Sequence, residues 1–269
     1  SKSIFTDDQK KQLKNLIKKY RQAFAVDDTE LGRTHIYTHK LRLKPGSQPP
    51  RPKLYQTNSK DREIIKKHIL DMLKNDIIKP VSEGVFSSPT LLVPKKDGGL
   101  RFCADLREMN KILEEDVYPL PLIRDVIDAI GTSKSIIYSI VDLRSAFWQI
   151  NVHPQSQKYL TINTHMGRYA FKVLPFGLHS SPSAFQRLMN TVLRGVLWEF
   201  AIPFLDDVVI FSKDATQHLE HLQEVFKRLV DAGLKLKPQK CMFGVNHIKY
   251  LGHNIGRKGM APFEEKVQA

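Results

Sequence analysis

The sequence predicts an α+β fold in which an antiparallel sheet carries helices on one face. Three observations lead there. Apolar residues recur along the 269-residue chain at helical period in some segments and as short strand-like runs in others. Turn residues such as Asp97-Gly98-Gly99 and Met166-Gly167 join neighbouring apolar runs as hairpins. Strands and helices also follow one another without the repeated strand–helix–strand rhythm of a doubly wound sheet, and the chain shows no internal repeat.

Taken in order, Thr6 and Gln9 have the spacing of a capping box, and Leu13, Leu16, Ile17, Tyr20 and Phe24 follow on one helical face. This first helix ends before Asp27-Asp28. An extended arm over 33–58 follows, because Pro49, Pro50 and Pro52 lack amide donors and cannot continue a helix. A second helix spans 59–75 through Ile64, Ile65, Ile69, Met72 and Leu73, with lysines outside that face. The strands TLLV and LRFCAD pair across the Asp97-Gly98-Gly99 turn, whose approach carries Lys95 and Lys96. A third helix has Pro121 in its first turn, buries Ile123, Val126, Ile127 and Ile130, and stops at Gly131. The strand SIIYSIVD comes next, then a hairpin around Met166-Gly167. A helix opened by Pro182 follows, running through Phe185, Met189, Val192, Leu193 and Val196. Two apolar strands, IPFL and VVIF, flank Asp206-Asp207. A helix over 217–231 then ends at Gly233.

The composition narrows the function classes. Hydrophobic residues at 41% and charged residues at 26% suit a globular chain, and no run approaches the roughly 20 apolar residues of a membrane span. The start has no signal-peptide pattern, and Cys103 and Cys241 have no metal-ligand spacing, which fits free thiols in a reducing compartment. A net charge of +14 favours a phosphate polymer as partner. An anionic membrane or a surface tuned for solubility accounts for the charge alone equally well.

The chemistry concentrates at Asp206-Asp207, two adjacent carboxylates amid apolar residues. Their repulsion is relieved by protonation, by water at an exposed turn, or by a divalent cation. A solvated hairpin tip explains the pair alone. Asp142, at the end of its own apolar strand, supplies a third acid for the same sheet edge. Three converging acids would hold two cations for in-line phosphoryl transfer, as in polymerases and nucleases.

In this order the segments SIVDLRSAFWQI, LPFGLHSSPSAFQ, FLDDVVIFS, GLKLKPQKC and YLGHNIG resemble five successive palm motifs of reverse transcriptases. The segments PTLLVPKKDGGLRFCADLREMNK, DVYPLPLI and MGRYAFKVLPFGL narrow the resemblance to gypsy-type LTR retrotransposons (metaviruses), across nearly the whole chain. The resemblance implies a right-hand polymerase fold with fingers and palm, the antiparallel palm sheet backed by helices and most of the thumb absent. It divides the chain into a helix and arm (1–58), mainly fingers (59–141), mainly palm (142–256) and the start of the thumb (257–269).

It further implies an RNA- and DNA-directed DNA polymerase that extends a primer with dNTPs, using Mg2+ or, as a substitute, Mn2+. Asp142, Asp206 and Asp207 would be the metal ligands, and Lys240 would protonate the leaving pyrophosphate. Lys95 (or Lys96 in its stead) and Arg101 would hold the triphosphate. Phe147 would exclude a ribose 2′-hydroxyl, with Phe176 and Gly177 beside the nucleotide and Gln186 touching template or nucleotide. Leu251, Gly252 and His253 would form the primer grip. Expected partners are RNA or DNA template with primer, dNTPs and no membrane. The longer enzyme is expected to carry RNase H downstream in its polyprotein, to be able to dimerise, and to work in the cytoplasm inside virus-like particles. The chain is expected to be a piece of that polyprotein, with a primer-template grip weakened by the missing thumb.

Two departures from the pattern stand out. Phe204 replaces a tyrosine before the acids, a loss of one hydrogen bond worth on the order of 1 kcal/mol. Ser145-Ala146-Phe147-Trp148 replaces Ser-Gly-Tyr-His. Rival readings are an idle nucleic-acid-binding or structural subunit, and an RNA polymerase or two-metal nuclease, which gives no reason for Phe147.

Overall fold

The computed structural model describes residues 3–27, 30–50, 55–94, 98–256 and, for backbone alone, 259–262. Its helices are α1 (Asp7–Lys19), α2 (Ser59–Lys74), α3 (Arg107–Ile112), α4 (Ile123–Thr132), α5 (Ser181–Val192) and α6 (Ala215–Asp231). Its strands are β1 (Thr38–His39), β2 (Ile78–Pro80), β3 (Ser88–Pro94), β4 (Leu100–Ala104), β5 (Ile137–Asp142), β6 (Asn151–Val152) and β7 (Thr161–Thr164). They continue as β8 (Gly167–Phe171), β9 (Ala201–Phe204), β10 (Asp207–Ser212), β11 (Met242–Val245), β12 (His247–Tyr250), β13 (His253–Gly256) and β14 (Gly259–Pro262). The chain divides into two compact units: residues 1–32, 118–145 and 186–269 in the first, and 33–117 and 146–185 in the second.

In the first unit an antiparallel sheet runs in the order β11-β5-β10-β9, and β12-β13-β14 form a second sheet. Every residue of β5 is buried, which requires cover on both faces. Tyr138 and Ile140 share a cluster with Val126, Ile127 and Ile130 of α4 and with Ile248, Tyr250 and Ile255. Ser139, pointing the other way by strand alternation, bonds to His218 of α6. Helices therefore flank both faces, where the sequence predicts one. The near-continuous apolar run IIYSIV is the signal of that double burial.

Capping chemistry sets the helix ends. The expected capping box of Thr6 and Gln9 opens α1. Helix α4 starts later than predicted, at Ile123, because Leu122 is still extended (ψ 134°) and Pro121 precedes the first turn. It runs through Gly131 to Thr132, and Lys134 takes the left-handed position beyond its end (φ 56°). Helix α5 stops at Val192, short of the predicted Val196. There Arg228 of α6 donates to the carbonyls of Val192 (3.1 Å) and Arg194 (2.7 Å), satisfying acceptors the helix end leaves open.

The second unit holds a sheet ordered β2-β8-β7-β3-β4. Its β3–β4 and β7–β8 pairings are the hairpins read from the sequence, while β3 and β7 run parallel. Helix α2 buries Ile65, Ile69 and Met72. The described part of the extended arm is pinned along this unit. Arg33 donates to the carbonyls of Asn75, Asp76 and Trp148, and the Leu41 amide donates to Ser156 Oγ (3.0 Å). Among the described residues no helix is long and apolar enough to cross a membrane.

Candidate active site

Three aspartates meet at one end of the central strand pair of the first unit. Strand β5 ends on Asp142, β10 begins on Asp207, and the antiparallel register sets these two residues opposite each other. Leu205 and Asp206 make the two-residue turn between β9 and β10, with Leu205 at φ 53°. A leucine in the left-handed region is strained, on the order of 1 kcal/mol, so packing and hydrogen bonds must hold the turn. The Leu143 amide donates to the Asp206 carbonyl (2.9 Å) and the Lys237 amide to the Asp142 carbonyl (2.8 Å). Both acid-bearing segments are thereby tied at the backbone, leaving their carboxylates for other work.

Those carboxylates are uncomfortable. Asp142 is only 8% exposed. Burial, then the charge of Asp142, raises the pKa of Asp206. The same two causes together with Asp206 push Asp207 up to about 6, with Lys240 opposing. Lys240 Nζ lies 3.0 Å from Asp142 Oδ2, and that hydrogen bond leads the causes that raise the lysine's own pKa. One Asp206 oxygen, Oδ1, is buried with no hydrogen-bond partner among the described residues.

An orphaned carboxylate oxygen and crowded, desolvated acids fit a hard divalent cation. Among the described residues no three His, Cys, Asp or Glu side chains are grouped so as to hold a metal ion by themselves. Mg2+ needs only one or two protein carboxylates, the rest of its shell coming from water and substrate.

The other predicted residues fall into two groups. In the first unit, Leu251 and Gly252 form the two-residue turn between β12 and β13, both at positive φ (49° and 83°), and His253 Nδ1 lies 3.2 Å from the Leu251 carbonyl oxygen. Gln186, expected to touch template or nucleotide, is 1% exposed; its amide nitrogen donates to Pro203 O (3.1 Å) and Asn190 Oδ1 (3.0 Å). Its nitrogen is thus engaged inside the protein, while its oxygen is buried with no hydrogen-bond partner among the described residues. Sequence reasoning missed Tyr118, Asn190 and Tyr250. The last is a buried tyrosine whose pKa is raised by burial and by Asp207, and whose hydroxyl lacks a partner among the described residues.

In the second unit, the Phe147 ring lies 5.3 Å from Phe176 and 6.1 Å from Phe185. Phe176 itself is 45% exposed. Gly177 sits at φ 89°, a conformation that favours glycine, and its carbonyl accepts from Asn110 Nδ2 (2.9 Å). Arg101 is exposed on β4 opposite Val93. Lys95 and Lys96, like the predicted start of the thumb beyond Pro262, lie outside the described residues.

An acidic hairpin tip set against a strand-terminal aspartate on an antiparallel sheet is a donor set of the kind that phosphoryl-transfer enzymes, polymerases and nucleases alike, use to hold divalent cations. Residues 93–255 match the family Reverse transcriptase (RNA-dependent DNA polymerase), and the chain belongs to that family. It is 34% identical over 263 residues to the Retrovirus-related Pol polyprotein from transposon 412 of Drosophila melanogaster, covering 96% of this chain and 21% of that protein. Against the Transposon Tf2-3 polyprotein of Schizosaccharomyces pombe it is 32% identical over 195 residues, covering 72% of this chain and 14% of the relative. These polyproteins accord with the gypsy-type LTR resemblance, and the chain spans about a fifth of the length of the fly relative.

Among solved structures it resembles the prototype foamy virus protease-reverse transcriptase (TM-score 0.83, 28% identity, 97% of this chain and 34% of that one). It also resembles the foamy viral protease-reverse transcriptase in complex with RNA/DNA hybrid (TM-score 0.86, 25% identity, 99% and 36%). The fold is that of a right-hand polymerase.

Proposed function

We propose that this chain is the fingers-and-palm part of a retrotransposon reverse transcriptase that extends a primer with dNTPs on an RNA or DNA template. The observation that carries the proposal is the pairing of Asp142 with Asp207 at one end of the central strand pair, beside an Asp206 oxygen buried without a partner among the described residues. The first unit is then the palm and the second the fingers.

Asp142, Asp206 and Asp207 would hold Mg2+, which when bound activates the primer hydroxyl and neutralises charge on the leaving pyrophosphate. Lys240, kept protonated by Asp142, has a proton to donate to that pyrophosphate once it leaves the carboxylate. Arg101 offers a fixed donor fork to the triphosphate, and Lys95 a point charge. The Phe147 ring, backed by Phe176 and Phe185, crowds the sugar. Leu251, Gly252 and His253 form a turn suited to the primer end. A solved neighbour is described in complex with RNA/DNA hybrid, which supports the same ligand class here.

The test is primer extension on an RNA template with dNTPs and Mg2+, comparing wild type with Asp206→Asn in this chain and in a longer polyprotein segment. Wild type should extend, and the variant should lose at least about 100-fold, the scale of deleting a transition-state charge contact. Metal-independent extension, or none by the wild-type longer segment, would falsify the reading and favour an idle nucleic-acid-binding subunit.

A further inference from the structure

The acidic turn hangs from an edge strand. In the sheet order β11-β5-β10-β9, β9 has a neighbour on one side only, and it contains Pro203, opposite Val208. Proline has no amide hydrogen, so it suits a position whose backbone groups face away from the paired strand. Its carbonyl then faces outward as well, since both groups of an antiparallel residue point to the same side. An outward carbonyl beside a strained turn is a weak point unless a donor fills it.

Gln186 fills it, and the bond orders a chain of side chains behind it. A carbonyl only accepts, so the Gln186 nitrogen must face Pro203 O at 3.1 Å. The same nitrogen lies 3.0 Å from Asn190, which must therefore present its oxygen. Asn190 is left with its nitrogen toward Tyr118, 2.8 Å from the hydroxyl oxygen. Arg187 lies over the Tyr118 ring at 4.9 Å and helps to fix it. One fixed acceptor thus sets the orientation of three side chains, all in the unit that carries the acids.

We propose that Tyr118 and Asn190 are positioning residues that act through Gln186 on Pro203 to hold the β9–β10 turn, and with it Asp206 and Asp207, in register with Asp142. Neither residue touches a reacting atom. The brace acts on the geometry of the metal-binding acids. It rests on the polymerase reading only for its kinetic consequence.

The experiment uses Tyr118→Phe, which deletes one hydroxyl, and Asn190→Leu, which keeps the volume and removes both bonds. Asn190→Asp retains an oxygen for Gln186 and lets Tyr118 donate in turn. Mn2+ binding is measured by electron paramagnetic resonance on the 269-residue chain, with thermal unfolding alongside. Asn190→Leu should weaken Mn2+ binding about 3- to 10-fold, the range of one lost hydrogen bond. Tyr118→Phe should weaken it by less, and Asn190→Asp should stay near wild type. In primer extension, Asn190→Leu should lower kcat while leaving the KM for dNTP unchanged.

Unchanged Mn2+ affinity in a folded Asn190→Leu overturns the brace, as does a wild-type chain that binds no Mn2+. If Asn190→Leu fails to fold, Tyr118→Phe decides by the same readout. A wild-type enzyme that binds Mn2+ but never extends a primer would sink the polymerase reading, and the metal data would still judge the brace.

Discussion

Phe147, proposed to discriminate between sugars, is held by neighbouring rings. Its ring is held from two directions, by Phe176 at 5.3 Å and Phe185 at 6.1 Å with an interplanar angle of 75° to the latter. A ring so held cannot swing aside cheaply for an extra hydroxyl. On the proposed role, replacing it by valine should open space at the sugar. Phe147→Val should raise incorporation of ribonucleotides relative to deoxynucleotides roughly 10- to 100-fold, the selectivity that small steric differences usually carry. Competing dNTP and rNTP single-nucleotide insertions would measure it, and an unchanged ratio would return Phe147 to ordinary packing. The loss of the tyrosine hydroxyl at Phe204 is of a different kind. Phe204 packs partly buried against the α4-side cluster, so its ring is retained for packing where the family pattern has a polar tip.

At the scale of elements, the join between α6 and the central sheet is polar, and that has a pH consequence. His218 is fully buried, with Nε2 2.6 Å from Ser139 Oγ and Nδ1 2.7 Å from Ser212 Oγ. Ser139 Oγ already accepts from the Gly244 amide (3.0 Å). Ser212 Oγ also lies 2.8 Å from His221 Nδ1, so the two serine hydroxyls link both histidines of α6 to the sheet. Both ring nitrogens of His218 thus have a serine hydroxyl as partner, and what disfavours the charged ring is its burial. Burial, with the neighbouring His221 second, lowers the His218 pKa from 6.5 to about 3. The folded-state value lies below the unfolded one, so the unfolded chain takes up a proton that the native state refuses. The stability tied to this neutral ring is complete above pH 6.5 and is lost progressively between there and pH 3, at up to about 1.4 kcal/mol per pH unit. In urea unfolding, wild type should lose about 2 kcal/mol more than His218→Gln between pH 7.5 and 5. Parallel losses in the two proteins would show that His218 does not titrate on unfolding. The sequence hid this join because His218 falls on the apolar stripe of a helix already explained by Leu222, Phe226 and Leu229. Helix and strand periods are local, and they exposed the elements and the acid trio well. The partners of a buried polar group such as His218 or Gln186 depend on residues far off in sequence, which no period reports.

At the scale of the whole molecule, the grouping of segments was the least legible feature. A sequence reading cuts the chain into consecutive stretches, whereas contact interleaves residues 118–145 with 186–269 and residues 33–117 with 146–185. Composition, by contrast, is a property of the whole chain that needs no fold to read. With 42 lysines and arginines against 28 aspartates and glutamates, the excess positive charge has to act on a partner or be screened by salt. If the partner is a primer-template duplex, binding releases condensed counterions, and affinity must fall with salt in proportion to the number of phosphates contacted. About five contacts give a slope near −4 in log affinity against log salt, a loss of roughly 100- to 1000-fold between 50 and 200 mM NaCl. Fluorescence anisotropy with a labelled RNA/DNA hybrid would measure the slope. Asp206→Asn should leave that slope unchanged, because the acid binds through cations at one turn and releases no condensed counterions from the duplex. A slope near zero would mean that the charge is not used on nucleic acid, and the polymerase reading would then rest on the acidic centre alone.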